Sequence, residues 1–200
     1  TDVTNFFSTE TFQQEGDTDE ITGKIVYEYD LSDSAMTYIS YSEGFKPGGS
    51  NLTFGFEDDN APAMVFPTFE SETVSSLEAG LKTDLMDGRV RANIAVFSYD
   101  YENLQFQATD PDPYRGGVAN IPESEMSGVE IEIDALINDN LTLDLNLSKL
   151  DTEVTSDYDV LDNVDAYAYF FGEEDIRYGL RENVKGYKLA KSPESSADLN

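Results

Sequence analysis

The sequence predicts an all-β chain that forms part of a transmembrane antiparallel β-barrel. Three observations carry that expectation. Apolar residues recur at every second position through long segments, the period of a strand with one apolar face. Tight Asp/Asn/Gly turns alternate with long connections rich in Gly, Pro and Asp, as in barrels with short turns at one end and long loops at the other. No stretch approaches the roughly eighteen consecutive apolar residues of a membrane-spanning helix, whereas barrel strands need only alternate ones.

The first hairpin centres on Leu31-Ser32-Asp33-Ser34. Before it, Ile21, Ile25, Tyr27 and Tyr29 oppose Lys24, Glu28 and Asp30; after it, Ile39 and Tyr41 oppose Ser40 and Ser42. Val26, Met36 and Tyr38 fall on the nominally polar side. The second hairpin is cleaner. Leu77, Ala79 and Leu81 alternate with Glu78, Gly80 and Lys82, the turn is Leu85-Met86-Asp87-Gly88, and Val90, Ala92, Ile94 and Val96 return. Asp-Gly is the strongest local turn signal within it.

The third hairpin is the most regular. Val129, Ile131, Ile133 and Ala135 oppose Glu130, Glu132 and Asp134, and a reversal follows at Leu136 to Asn140. Leu141, Leu143, Leu145 and Leu147 then oppose Thr142, Asp144, Asn146 and Ser148. A helix would spread those leucines around its circumference, so the strand reading prevails over the helix preference of leucine.

The short turns fall at even intervals, near Asp33, Asp87 and Asp139. Between them the expected long loops run from Gly44 to about Ser71, Gln107 to about Pro122, and Val154 to about Lys188. The alternating arms, about ten to fourteen residues, exceed the roughly nine to eleven needed to cross a bilayer. A β-sandwich would carry turn signals every eight to twelve residues or so. A solenoid would show internal self-similarity, and none is visible.

One phase is unsettled by sequence. Phe97, Tyr99 and Tyr101 are in register with Arg89 and Arg91 instead of the aliphatic face. Either a β-bulge near Phe97 switches the phase, or these rings point inward and pack within the lumen. Tyr27 and Tyr29, toward their strand's end, suit an aromatic girdle at a membrane interface.

Forty-one acidic residues against twelve basic ones give a net charge of -29. That balance repels nucleic acid phosphates and anionic headgroups, which sets aside DNA, RNA and cytoplasmic-leaflet binding. Cysteine and histidine are absent, removing disulfides, thiolate nucleophiles, zinc–cysteine sites and the usual general base near neutral pH. With no phosphate-binding loop or nucleophile elbow either, the chain is not read as an enzyme and no cofactor is expected.

Several ordered motifs, covering roughly residues 20 to 200, now become specific. Tyr38-Ile39-Ser40-Tyr41-Ser42-Glu43-Gly44-Phe45-Lys46-Pro47-Gly48-Gly49-Ser50-Asn51 resembles the strand-to-loop motif of TonB-dependent outer-membrane receptors. Glu72 through Gln105 resembles the family's next down-strand, periplasmic turn and up-strand. Asn120 with Ser127-Gly128-Val129-Glu130 is similar to the opening of the following strand. Gly186-Tyr187-Lys188-Leu189 with Ser192-Pro193 resembles re-entry after another external loop.

The resemblance implies active uptake of a scarce, bulky nutrient, foremost a ferric siderophore, across the bacterial outer membrane. It implies a complete barrel of about 22 strands, of which this chain would supply about six or seven. The partners it implies are outer-membrane lipid, the receptor's own plug domain, a TonB-type energy-transducing protein and an external small-molecule ligand, with the full-length receptor a monomeric barrel. Residues 1–200 are expected to be a middle-to-late stretch of barrel wall, without the plug. The competing reading is an acidic extracellular β-sandwich adhesion or binding module stabilised by calcium.

Ligand-contact candidates are the loop aromatics and one arginine: Phe54, Phe56, Phe66 and Phe69, then Tyr114 and Arg115, then Tyr158, Tyr167, Tyr169, Phe170, Phe171 and Tyr178. Such rings can stack on a ligand, with loop packing as the competing role of each. Gly44, Gly48 and Gly49 around Pro47 are expected to shape the loop base. Arg89 and Arg91 are expected to pair with lumenal carboxylates such as Glu78, Glu130 or Glu132, against a plain role in a hydrated lumen. The acidic clusters Glu57-Asp58-Asp59, Asp157 with Asp159 and Asp162, and Glu173-Glu174-Asp175 lack the calcium-loop pattern, so solvated loops are the preferred reading and no metal site is assigned.

Overall fold

The computed structural model describes residues 19–51, 68–111, 114–161 and 181–200. Among these described residues eleven strands follow in chain order: β1 (Lys24–Ser32), β2 (Ala35–Lys46), β3 (Gly49–Ser50), β4 (Thr68–Phe69), β5 (Glu72–Leu85), β6 (Val90–Pro111), β7 (Tyr114–Asn138), β8 (Leu141–Val154), β9 (Asp159–Leu161), β10 (Arg181–Asn183) and β11 (Ser195–Leu199). Seven of them form one antiparallel sheet in the order β1-β2-β5-β6-β7-β8-β11, and β3/β4 and β9/β10 form two small ladders. Each long strand therefore lies beside the next long strand of the chain, an up-and-down meander.

The tight turns stand where their residues predict. Asp33 and Ser34 close β1 on β2, and Asp139 and Asn140 close β7 on β8. In the latter the Asn138 side chain accepts the Asn140 N–H at 2.9 Å, so an Asx turn drives the reversal. Between β5 and β6, Met86, Asp87 and Gly88 all adopt positive φ (55°, 58° and 80°). Gly88 bears this without strain, and Asp tolerates it far better than a branched residue would.

Pairing is in register from Val90 to Glu102 on both sides of β6, so no bulge interrupts the ladder near Phe97. The phase question is thereby settled: Phe97, Tyr99 and Tyr101 lie on the face of Arg91 and Asn93. Phe97 is buried. Val26, Met36 and Tyr38 share that face through their register partners.

The second expected loop is corrected. Residues 107 to 122 are not a long connection, because β6 and β7 continue as one ladder to Pro111 opposite Tyr114. Gly116, Gly117 and the prolines read as loop locally, but pairing from Leu104–Ile121 upward satisfies the backbone groups that a loop would leave to water. The irregularity is confined to Asn103, at φ 55°, which stands opposite Pro122. Proline has no N–H for the ladder, and asparagine accepts the left-handed conformation better than most residues.

Among the described residues the largest cluster of buried side chains sits beyond the sheet's regular part. Ile121, Val154 and Val184 pack together with Leu104, Phe106, Tyr158, Val160 and Leu189 against them. It joins the upper part of the β6–β7 hairpin to the stem made by β9 and β10.

Candidate functional site: a two-faced wall and its mouth

Following the registers across the sheet gives rows of side chains on each face. One central row reads Thr37, Leu81, Ile94, Ile131, Leu147 and Ala197. The next reads Tyr27, Ile39, Ala79, Val96, Val129 and Lys149. Ile25, Tyr29, Leu77, Leu85, Val90, Ile133, Leu145 and Leu199 extend the same face. Many of these stand in the open: Ile25 is 74% exposed, Leu77 51% and Val96 51%. A continuous exposed apolar face of this extent suits hydrocarbon, which asks for no polar partner.

That face changes character at one level. The row after Tyr41, Leu77, Ser98, Ser127 and Asp151 reads Glu43, Ser75, Asp100, Glu125 and Glu153. Like charges directly opposite one another belong in water. The apolar band therefore ends below this row, while β6 and β7 continue above it.

The other face is polar and aromatic. Tyr38 donates its hydroxyl to Glu78 Oε1 at 2.6 Å, and the Lys82 ammonium stands 5.4 Å from the centre of the same ring. Phe97 and Tyr99 stack with centroids 4.9 Å apart and planes inclined by 22°. Asn93 donates to Glu132 Oε2 at 2.9 Å, and Arg91 meets Asp84 at 3.2 Å. Next to Phe97, Gly128 leaves its space to the ring, since a Cβ there would stand 2.7 Å from Phe97 Cζ.

Arg91 meets a carboxylate of the polar face, though Asp84 and none of the three named from sequence, and Arg89 turns elsewhere. Arg91 is opposite Asp84 on β5 and Asp134 on β7, whereas Glu130 is opposite Ala95, further along the strand. Register, then, gives Arg91 to Asp84, and Glu78 and Glu132 are held by Tyr38 and Asn93. Arg89 precedes β6 and turns to the backbone, donating to the carbonyls of Leu136 at 3.0 Å and Ile137 at 2.8 Å. It ties the second short turn to the third.

At the opposite end, side chains replace strand pairing. The Asn51 carboxamide donates to the Val118 carbonyl and accepts the Val118 N–H, both at 2.8 Å. The Asn120 carboxamide does the same for Glu70, accepting its N–H at 2.8 Å and donating to its carbonyl at 3.1 Å. Gln105 donates to the carbonyls of Pro47 (3.0 Å) and Glu70 (3.1 Å), and its own N–H reaches Glu72 Oε2 at 2.7 Å. Gly48 and Gly49 serve close approach here. A Cβ on Gly48 would meet the Phe69 carbonyl oxygen at 2.5 Å, and one on Gly49 the Phe69 ring at 2.7 Å. Sequence reasoning placed Asn51 and Asn120 in its motifs without assigning them a role.

Among the ligand-contact candidates, Phe69 packs on Gly49, and Tyr158 meets Phe106 edge-on with centroids 5.8 Å apart. Both are engaged in packing. Tyr114 and Arg115 open β7 opposite Pro111 and Asp110, their side chains lying outside the described residues. Phe54, Phe56, Phe66, Tyr167, Tyr169, Phe170, Phe171 and Tyr178 also lie outside them. So do the acidic clusters at residues 57–59 and 173–175. Of the remaining cluster, Asp157 pairs with Lys185 at 3.0 Å, and Asp159 accepts a hydrogen bond from Asn183 at 3.2 Å. Lys188 bonds Asp151, whose carboxylate lifts the ammonium above its ordinary range.

An antiparallel meander with one lipid-compatible face, one hydrated face, short turns at one end and tall structure at the other defines the wall of an outer-membrane β-barrel. Among the described residues the long strands form one sheet, whereas a sandwich would pack two large sheets face to face.

The chain belongs to the TonB-dependent receptor β-barrel family, whose model, described as TonB dependent receptor-like, beta-barrel, matches residues 1–200. The residues matched are barrel wall, and the proteins they match are outer-membrane receptors. A probable TonB-dependent siderophore receptor, PiuA, of Acinetobacter baumannii is 26% identical over 157 residues, covering 76% of this chain and 20% of the relative. The ferric-pyoverdine 358 receptor of Pseudomonas putida is 27% identical over 108 residues, covering 52% of this chain and 12% of the relative. The chain thus spans a fifth or less of these relatives. Among solved structures, the ferric yersiniabactin uptake receptor FyuA of Yersinia pestis superposes with a TM-score of 0.58 at 17% identity, over 89% of this chain and 22% of that one. The ferric-catecholate import receptor Fiu of E. coli K12 gives 0.57 at 19% identity, over 88% and 21%.

Proposed function

We propose that the receptor containing this chain imports a ferric siderophore or related iron complex across the outer membrane, with residues 1–200 supplying barrel wall and external structure. The observation that carries the reading is the two-faced sheet within the receptor family. On this reading its apolar side meets lipid and its hydrated side lines the lumen of a plugged barrel. The relatives named for siderophore and ferric-complex uptake supply the substrate class.

On this reading the partners are outer-membrane lipid, a plug domain filling the barrel, a TonB-type protein that transduces energy from the inner membrane, and an external chelate. The full-length receptor works as a monomer. The wall does no chemistry on its cargo. It holds a hydrated passage open against the lateral pressure of the bilayer, and the loops above it gather ligand.

The test is whole-cell uptake by the full-length receptor in a host lacking its own ferric-complex receptors. Radioiron is supplied as ferric catecholate, ferric hydroxamate and ferric pyoverdine, with and without a working energy-transducing protein. Energy-dependent accumulation of at least one complex is expected. Accumulation of none of them, together with receptor-dependent growth on cobalamin or a glycan, would assign a different cargo.

A further inference from the structure

The two carboxamides at the mouth carry more than loop shape. In the sheet order β6 lies between β5 and β7. Asn51 follows β3, on the connection from β2 to β5, yet its side chain bonds Val118 on β7. The connection therefore crosses β6 to reach the strand beyond it. Among the described residues the β7–β8 ladder extends upward only to Ser124 opposite Val154, and Asn51 meets β7 above it. A carboxamide carries one donor and one acceptor at the spacing of a peptide group, so Asn51 supplies to Val118 what a neighbouring strand would.

Asn120 completes the arrangement from the other side. Projecting from β7, it grips the N–H and carbonyl of Glu70 beside β4, and its amide also donates to the Asn103 carbonyl at 2.7 Å. That carbonyl belongs to the residue facing Pro122, where the ladder has no N–H to offer it. One side chain thus satisfies the local break in β6–β7 and the returning arm of the connection.

We propose that Gly49–Asn51 and Thr68–Glu70 form a strap buttoned across the hairpin by Asn51 and Asn120, so that the base of the first external connection and the β6–β7 hairpin move as one body at the mouth. Each button exchanges two hydrogen bonds with a single backbone residue, and each is reciprocal in position. Asn51 reaches from strap to hairpin, and Asn120 from hairpin to strap. Four such bonds hold two segments distant in sequence. The strap stands whether or not the cargo is an iron complex.

Hydrogen exchange followed by mass spectrometry on the full-length receptor in detergent tests it, with no ligand needed. The variants are Asn51→Ala, Asn120→Ala and the double replacement. Peptides containing Val118 and Glu70 are followed, and a peptide over residues 128–136 reports the barrel wall. Asn51→Ala is expected to speed exchange at Val118 about tenfold and Asn120→Ala to do so at Glu70, with the wall peptide unchanged. Exchange within twofold of wild type at both sites would overturn the strap. Should an alanine variant fail to assemble, Asn51→Leu serves instead. It keeps the size but neither accepts the Val118 N–H nor donates to the Val118 carbonyl. Faster exchange at Val118 is again expected, and unchanged exchange overturns the proposal.

Discussion

The ring of Tyr38 occupies the space that a side chain on Gly80 would fill. The two residues are direct register partners on β2 and β5, and a Cβ added to Gly80 would fall on the ring. Phe97 and Gly128 repeat the relationship between β6 and β7, and Phe69 and Gly49 repeat it between β4 and β3. A glycine in a strand interior costs stability through backbone entropy and lost packing, and a cross-strand aromatic ring restores the packing.

Replacing Gly80 by alanine should therefore destabilise the receptor by about 1–3 kcal/mol, because the methyl must displace a ring held by Glu78 and Lys82. Removing that ring by Tyr38→Ala should make the same replacement nearly neutral. The readout is the urea midpoint of the full-length receptor for both singles and the double. Strict additivity of the two effects would show that ring and glycine are not coupled.

Asn146 and Leu147 are adjacent on β8 and point to opposite faces, which makes them a sharp probe of which side meets lipid. Leu147 lies in the central apolar row with Ile131, whereas Asn146 is aligned with Glu132 and Asp198. Leu147→Arg should cost about 2–4 kcal/mol, the penalty for arginine near the bilayer midplane, and reduce the yield of assembled barrel. Asn146→Arg, set among carboxylates, should assemble normally. Equal yields, scored by heat-dependent mobility on gels, would contradict the facial assignment.

The small core at the mouth predicts a local effect with the barrel intact. Ile121 packs with Val154 and Val184 and with the rings of Phe106 and Tyr158 around them. Ile121→Ala should cost about 2–5 kcal/mol of packing there, releasing the β9/β10 stem from the hairpin. Limited proteolysis is expected to cut within residues 155–189 faster than in wild type. A cleavage rate unchanged from wild type would mean the stem is held by something other than this cluster.

The arginines show where local reasoning loses its reach. Their position after the Asp-Gly turn was legible, and Arg91 does share a face with Glu78 and Glu132. Which carboxylate each would meet depends on register with two other strands. Register awarded Arg91 to Asp84 and sent Arg89 to the carbonyls of Leu136 and Ile137. Both outcomes turn on partners that no spacing within the turn reveals.

The mouth was harder still. Asn51 is 67 residues from Val118 and Asn120 is 50 from Glu70, so neither pairing leaves a local trace. Gly116, Gly117 and the neighbouring prolines even argued for a loop, because turn propensity is felt locally whereas strand pairing is won by contacts across the sheet.

By itself the sequence determined the regular arms of the three hairpins, their tight turns and the apolar side of the cleanest arms. A side-chain period of two assigns faces with no knowledge of neighbours, and Asp, Asn and Gly reverse the chain through their own backbone preferences. Tertiary structure alone decided that Phe97, Tyr99 and Tyr101 turn away from lipid, that the β6–β7 hairpin continues to Pro111, and that carboxamides fasten a strap across it. Each of those outcomes depends on which residue stands opposite on another strand, and opposition is a property of the assembled sheet.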